Sequence, residues 1–465
     1  MTDVLHCDLC VLGGGGAGVA AARTAAALGA KVVIVEKRAL GGAYLTKTVP
    51  VLAFCTAALQ AANGAHGADF GTSASRKIDF GRFRAQVLAA IKIFARDFTP
   101  GSLTASNIEL IRSVGSFSGS TRLDAGGRTI EAKHFLLATG ATPALASLPG
   151  QELIRSLAPE DLLTLDRPPE DLIIVGASFQ GLTLAQAFLR LGTRVSLIEG
   201  GPILPSEDAE LVAPVLTQLA REGLTLHPHA QITHVEPLRG GLRVHLKGLP
   251  APLEAAHILF AGAAPPLVEG LGLKNAGITY ANSGALIDAD GRTSNRRVHA
   301  IGSAAGGPES ALSALGQAER IARRLFGQAG GGTIPPARVL DTSPEMAIVG
   351  LTEAQAREKH RSVRVLRAPL GDTPRARLTG APAGHVKIVT NSVGYILGAG
   401  ITGAQAREII GIFGLAIGKD IKAADLDIIA NAPILGEAIS KAALASSPQL
   451  GKAPRRRAFF PRRAR

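Results

Sequence analysis

A glycine-rich turn between an apolar run and an alanine-rich stretch occurs twice in this chain. Each copy is followed, 23 residues after its first glycine, by a glutamate. The first reads V-L-G-G-G-G-A-G, with Gly13, Gly15 and Gly18, and leads to Glu36. The second reads I-I-V-G-A-S-F-Q-G, with Gly176, Ser178 and Gly181, and leads to Glu199. Both sit in a strand, tight turn, helix, strand context, which this signature requires. Gly13 allows the turn, Gly15 lets the backbone approach a pyrophosphate, and Gly18 lets helix and strand pack closely. The helix N-terminus offers free N–H groups and the positive dipole end to phosphate. The glutamate accepts hydrogen bonds from ribose hydroxyls. Ser178 replaces the middle glycine of the second copy and holds that backbone farther from its phosphates. Glu199 is followed by Gly200 and Gly201, with no arginine to grip a 2′-phosphate, which favours NADH over NADPH. Two such units predict two nucleotide cofactors and electron transfer between them.

The rest of the chain returns to the first unit. The first copy predicts a strand at 7–12, a helix over Gly18–Leu28 and a strand over Lys31–Val35. The second predicts a strand over Leu172–Val175, a helix over Gly181–Leu191 and a strand over Arg194–Ile198. Buried-strand patterns recur at 134–143, containing Thr139 and Gly140, and at 257–266, containing Gly262. V-H-A-I-G-S at 298–303 brings Gly302 and Ser303 to the start of another alanine-rich helix. The expected fold is α/β, with two Rossmann-like domains, the second inserted in the first, and a C-terminal α+β domain. The boundaries expected are 1–150 with 270–330, then 151–269, then 334–446, and a basic tail over 447–465.

Composition limits the alternatives. At 465 residues the chain exceeds one ordinary core. No run of about 18 apolar residues is uninterrupted, so no membrane span is expected. Three cysteines, Cys7, Cys10 and Cys55, cannot staple a chain this long, which suits a reducing cytoplasm. The formal charge of +13 owes seven Lys/Arg to the last 14 residues, so no general nucleic-acid surface is implied. That tail also holds Phe459 and Phe460; its simplest reading is a solvated terminus, with weak contact to anionic lipid as the alternative.

With its first fingerprint, G-G-A-Y-L at 41–45 (including Gly42), A-T-G-A-T-P, and L-A-Q-A-F-L-R-L-G at 184–192, the chain resembles the pyridine nucleotide–disulfide oxidoreductases. This family includes lipoamide dehydrogenase, mercuric reductase and soluble transhydrogenase. S-P-E-M-A-I-V-G-L-T-E-A-Q-A at 343–356 resembles its dimer-interface domain. The resemblance implies FAD at the first fingerprint, NAD(P)H at the second, and a homodimer. It places Gly13, Gly15, Gly18, Glu36, Gly42, Thr139, Gly140, Gly302 and Ser303 around FAD. Gly176, Ser178, Phe179, Gly181, Glu199 and Gly262 fall around NAD, with Phe179 as an aromatic gate.

Measured against the same resemblance, the sulfur machinery is missing. Tyr44 stands where the family has its first redox cysteine, and Thr48 falls at or beside the second. Leu52 replaces the lysine near the flavin, and Thr183 replaces that lysine's glutamate partner. In A-P-I-L-G-E, residues 432–437, Ala432 replaces the histidine base and Glu437 remains without it. Ser303 replaces the aspartate that grips the ribityl chain. Disulfide exchange needs a thiolate and a proton acceptor, and neither is supplied. The expected activity is therefore hydride transfer from NADH to FAD and onward to a non-disulfide, small-molecule acceptor: a second nicotinamide, a quinone or dye, or oxygen. Thr48-Val49-Pro50 resembles the transhydrogenase version of this region. The alternative is a catalytically retired homodimer that acts by binding. Tyr44, Thr48 and Glu437 are the candidate catalytic residues. No metal site is expected; His227, His229 and His234 read as a surface strand edge, and the cysteines as core.

Overall fold

A computed structural model describes residues 4–63, 78–142, 148–262, 264–288, 290–306, 311–327, 334–429 and 435–444. The basic tail, Ala432 and most of the glycine-rich linker before Ile334 lie outside these residues. Strand β1 (Val4–Leu12) enters the first glycine turn, and α1 (Gly16–Ala27) leaves it. Strand β2 (Val32–Val35) then runs parallel to β1, with Leu9 opposite Val32. The helix begins two residues before Gly18, because Gly15 is its N-cap and the last fingerprint glycine lies inside its first turn. A π-helical turn, Tyr44–Thr48, runs into α2 (Val49–Asn63). Helices α3 (Phe80–Ala95) and α4 (Pro100–Thr104) follow.

Strands β3 (Ile108–Ile111), β4 (Gly115–Gly119), β5 (Arg122–Ala125) and β6 (Arg128–Leu137) extend the sheet in the order β3-β2-β1-β6-β5-β4. The first four strands of that order are parallel, while β6, β5 and β4 form an antiparallel meander that the sequence reading did not anticipate.

The chain then builds a second parallel sheet. Its parts are β7 (Asp171–Val175), α5 (Phe179–Arg190), β8 (Arg194–Ile198), α6 (Ala209–Arg221) and β9 (Thr225–His227). An antiparallel sheet of β10 (Ile232–Leu238), β11 (Gly241–Leu246) and β12 (Leu253–Ala255) follows. Then β13 (His257–Phe260) slots beside β7, giving the order β13-β7-β8-β9. After a short hairpin, β14 (Tyr280–Ala281) and β15 (Gly284–Ala285), strand β16 (Val298–Ala300) pairs with β6 and returns the chain to the first sheet. Helix α7 (Ala311–Phe326) packs on α1, where Ala22 and Ala25 meet Ala318 and Ala322 in one cluster. Small side chains on both helices permit that close approach.

The C-terminal part is a five-stranded antiparallel sheet in the order β17-β18-β21-β20-β19. Its strands are β17 (Ala337–Leu340), β18 (Glu345–Gly350), β19 (Val363–Pro369), β20 (His385–Asn391) and β21 (Ile396–Gly403). Helices α8 (Glu353–Lys359) and α9 (Pro374–Leu378) lie between strands, and α10 (Ala406–Gly418) and α11 (Glu437–Leu444) follow them. Among the described residues no helix is long and apolar enough to cross a membrane.

Candidate functional site

The fingerprint residues converge because a parallel sheet places every strand's C-terminal end on one edge, the edge where such sheets bind ligands. Gly13 follows β1, Glu36 follows β2, Thr139 follows β6 and Gly302 lies two residues beyond β16. The turn is tight: Gly13 has φ +110, and a Cβ there would lie 2.3 Å from the Ala138 carbonyl oxygen. A Cβ on Gly18 would sit 2.0 Å from the Gly13 carbonyl oxygen, so helix and turn touch backbone to backbone. At Gly15, by contrast, an added Cβ would meet only the Gly41 carbonyl oxygen, at 4.0 Å. That is a groove lined by backbone and open to a ligand. Gly42, φ +44, packs its loop on Gly15, and the Gly41 N–H donates to the Gly14 carbonyl at 2.8 Å. Helix α1 has no side-chain cap and no acidic residue in its first turn, so its N-terminal N–H groups remain for an anion. Glu36 Oε2 accepts from the Gly14 N–H at 2.7 Å and Oε1 from the Arg38 N–H at 2.7 Å. The carboxylate is thus held at the mouth of the groove. A pyrophosphate with an attached ribose fits these residues.

Across the groove, Thr139 Oγ1 donates to the Leu267 carbonyl at 2.7 Å, while the Gly140 carbonyl accepts from the Leu267 N–H at 2.9 Å. Ser303, in a one-turn 3-10 helix over Gly302–Ala305, is partly buried.

The second site repeats the geometry with one change. Gly176 has φ +106 and a Cβ there would lie 2.9 Å from the Gly262 nitrogen; a Cβ on Gly181 would be 2.0 Å from the Gly176 carbonyl oxygen. Glu199 Oε2 accepts from the Ala177 N–H at 2.7 Å, the counterpart of the Glu36 contact. The change is at Ser178, which caps α5: its Oγ accepts from the Gly181 N–H at 3.1 Å and donates to the Ala261 carbonyl at 2.6 Å. One N–H that a phosphate would take is therefore already satisfied. Phe179 opens α5, half-buried against the cluster that contains Phe54 and Cys55 of α2. The hydroxyl of Thr183 turns back to donate to the Phe179 carbonyl at 2.8 Å.

The candidate catalytic residues do not form one group. Thr48 and Leu52 share the wall of a cavity of about 390 Å³ between α2, α7 and the C-terminal sheet, which Arg320, Asp341 and Arg407 also line. Tyr44 turns elsewhere: its ring lies over Gly16 and against Phe98 and Phe94, with centroids 5.5 and 6.4 Å away. Burial, then the nearby Asp97 charge, raises its phenol above the ordinary value. Glu437 begins α11 and pairs with Lys441 at 3.1 Å, whose ammonium also reaches the Asp372 carbonyl. The Glu437 contact is local to its helix.

His227 ends β9 and His229 sits in the following turn with φ +56, while His234 lies on β10 beside Glu236 and His245. Sequence reasoning missed that last grouping, because the hairpin register between β10 and β11 creates it.

Known proteins share this architecture. The sequence pattern described as pyridine nucleotide-disulphide oxidoreductase matches residues 7–318, and the dimerisation domain of the same family matches 336–443. The chain is 32% identical over 458 residues to a dihydrolipoyl dehydrogenase of Thermus scotoductus, covering 95% of this chain and 98% of the relative. It is 29% identical to a mercuric reductase of Bacillus cereus, covering 90% of this chain and 68% of that one. The crystal structure of LpdA from Mycobacterium tuberculosis superposes with a TM-score of 0.82 at 25% identity, covering 95% and 99% of the two chains. Members of this family are FAD-dependent oxidoreductases that bind NAD(P)H, and the chain belongs to it: a pyridine nucleotide-disulphide oxidoreductase with its own C-terminal dimerisation domain.

Proposed function

We propose that this protein is an FAD-dependent NADH oxidoreductase that passes electrons to an acceptor other than a disulfide, as a diaphorase or transhydrogenase does. The observation that carries this reading is where its sulfur lies. The three cysteines of the chain are all buried and unpaired. Burial pushes the Cys7 thiol up to about 12 and the Cys10 and Cys55 thiols well above their ordinary values. A thiol held protonated in a core cannot attack a disulfide. Cys55, the one closest in sequence to the cavity, lies with its Sγ 3.9 Å from the Thr183 carbonyl oxygen, in the packing between α2 and α5.

FAD, when bound, would supply the redox chemistry that links NADH to the acceptor. The chain positions the partners. The groove at Gly15 and the α1 N-terminus would hold one pyrophosphate, and Glu36 would accept from a ribose hydroxyl. Gly176, Gly181, Glu199 and Gly262 do the same for NADH, and the charge of Glu199 disfavours a 2′-phosphate. Phe179 gates the nicotinamide. Gly42, Thr139, Gly140, Gly302 and Ser303 would line the FAD site, with Ser303 supplying a hydroxyl there. Thr48 offers a hydroxyl to the acceptor from a wall that it shares with Leu52. Tyr44 buttresses the α1 N-terminus, and Glu437 pairs with Lys441 inside α11, so neither is assigned a part in electron transfer.

The test is NADH oxidation by the full-length flavoprotein with a soluble quinone, before and after treatment with a thiol-alkylating reagent. Quinone-dependent turnover that survives alkylation, with no reduction of lipoamide, is the expected result. Lipoamide reduction abolished by alkylation would overturn it. A second reading, a dimer that acts by binding alone, is favoured by Ser178, whose hydroxyl occupies part of the second phosphate site. FAD-loaded protein that oxidises no NADH with any acceptor would leave that reading standing.

A further inference from the structure

We propose that the β10–β11 hairpin carries a binding site for a divalent ion of the zinc or copper type, formed by His234, Glu236 and His245. The antiparallel register sets His234 opposite His245 and Glu236 opposite Arg243. Residues two apart on one strand and their cross-strand partners share a face, so both imidazoles and the carboxylate emerge from the same side of the sheet. Val235, Leu242 and Val244 are buried beneath them. One ligand atom from each of the three residues lies within 4.8 Å of the others.

Three details go beyond proximity. His245 Nε2 and Glu236 Oε1 are 3.2 Å apart, close to the ~3.3 Å that separates two ligand atoms on a tetrahedral zinc with bonds of about 2.0–2.1 Å. An ion would replace the proton that joins them. The second detail is a supporting hydroxyl. Thr233 Oγ1 donates to the His245 carbonyl at 3.1 Å, so toward His234 Nδ1, 3.3 Å away, it presents a lone pair. With its proton on Nδ1, toward that oxygen, His234 keeps its free lone pair on Nε2 for an ion, the arrangement by which neighbouring groups orient a metal-binding imidazole. Third, the salt bridge of Glu236 to Arg243 is a loose one. Arg243 lies 3.7 Å from its carboxylate but holds Glu254 at 2.7 Å.

The two rings are stacked, with centroids 4.0 Å apart and planes 11° from parallel. Parallel rings cannot aim both lone pairs at one ion, so binding turns the exposed His234 ring off the stack. Two imidazoles, one carboxylate and a water complete a four-coordinate sphere suited to zinc or copper and poorly suited to magnesium. On the opposite side of the same strand position, the Val235 N–H donates to the Pro149 carbonyl at 2.9 Å. The ion would brace the strand on which the connection between the two parallel-sheet units is docked.

Calorimetric titration of the full-length flavoprotein with Zn²⁺, alongside the His234→Ala, His245→Ala and doubly substituted proteins, tests the site. Wild type is expected to take up one more Zn²⁺ than the double variant, with affinity about tenfold or more weaker in each single variant. Zn²⁺ should raise the melting temperature of wild type and not of the double variant, whose surface changes leave its own melting unaltered. Equal Zn²⁺ uptake by wild type and a folded double variant, or an equal response to Mg²⁺, would overturn the proposal.

Discussion

A methyl group added at Gly15 meets nothing closer than the Gly41 carbonyl oxygen at 4.0 Å, whereas one added at Gly18 sits 2.0 Å from the Gly13 carbonyl oxygen. The same substitution therefore separates two roles within one motif. Gly18→Ala forces α1 off β1 and should cost about 1–3 kcal/mol, read as a lowered melting temperature. Gly15→Ala should leave the melting of the FAD-stripped protein unchanged and abolish FAD retention, because the methyl fills the groove. Full FAD retention by Gly15→Ala would mean that the pyrophosphate does not approach there. These roles were legible in the sequence because they depend on local backbone sterics. The direction of Tyr44 was not legible: Phe94 and Phe98, a long way along the chain, decide where its ring rests.

At the scale of elements, α1 and α5 differ in what their N-termini keep free. The first has no side-chain cap and the second is capped by Ser178. Ser178→Gly frees the Gly181 N–H and opens the backbone, so the KM for NADH should fall severalfold while stability changes by only a few tenths of a kcal/mol. Ser178→Ala loses the cap without opening the turn and should cost about 1 kcal/mol in thermal or denaturant unfolding. An unchanged KM in Ser178→Gly would place the NADH phosphates elsewhere. Both fingerprint helices, and the strands around them, could be read from glycine spacing and apolar runs. The β4–β6 meander and the His234–Glu236–His245 face could not, because strand partners and register are set by tertiary pairing, not by the local pattern.

On the scale of the whole molecule, a charge cluster ties the second sheet unit to the dimerisation domain. Lys387 of β20 is 2% exposed and pairs with Asp208 at 3.1 Å, with Glu353 at 2.9 Å and with Glu210. Arg338 grips Glu207 through two bonds of 3.0 and 2.9 Å, and Arg367 grips Glu210 through two of 2.7 and 2.9 Å. Read from the sequence, Lys387 is one charge in an alternating strand, and nothing local shows that carboxylates from α6 and its N-terminal flank cover it. Lys387→Met removes the buried cation these carboxylates share, and because Arg367 still holds Glu210 and Arg357 still holds Glu353 it should destabilise by about 1–3 kcal/mol in denaturant unfolding. The Arg367 hydrogen bond first, then Lys387, holds the Glu210 carboxyl down from its ordinary 4.5 to about 2. A carboxylate whose folded value is depressed contributes stability that is present above the unfolded value and lost as pH falls through the folded one. Melting temperature should therefore drop between about pH 4.5 and 2, and Glu210→Gln should flatten that part of the profile. An acid limb unchanged in Glu210→Gln would assign the loss to other carboxylates.

Hydride transfer from NADH to FAD is read by an anaerobic titration of the full-length flavoprotein with NADH, followed by flavin absorbance. NADH is expected to bleach the flavin band without the long-wavelength charge-transfer band of a thiolate against flavin, and NADPH to do so far more slowly. Fully FAD-loaded protein whose spectrum NADH leaves untouched, or one that develops the thiolate band, would contradict it.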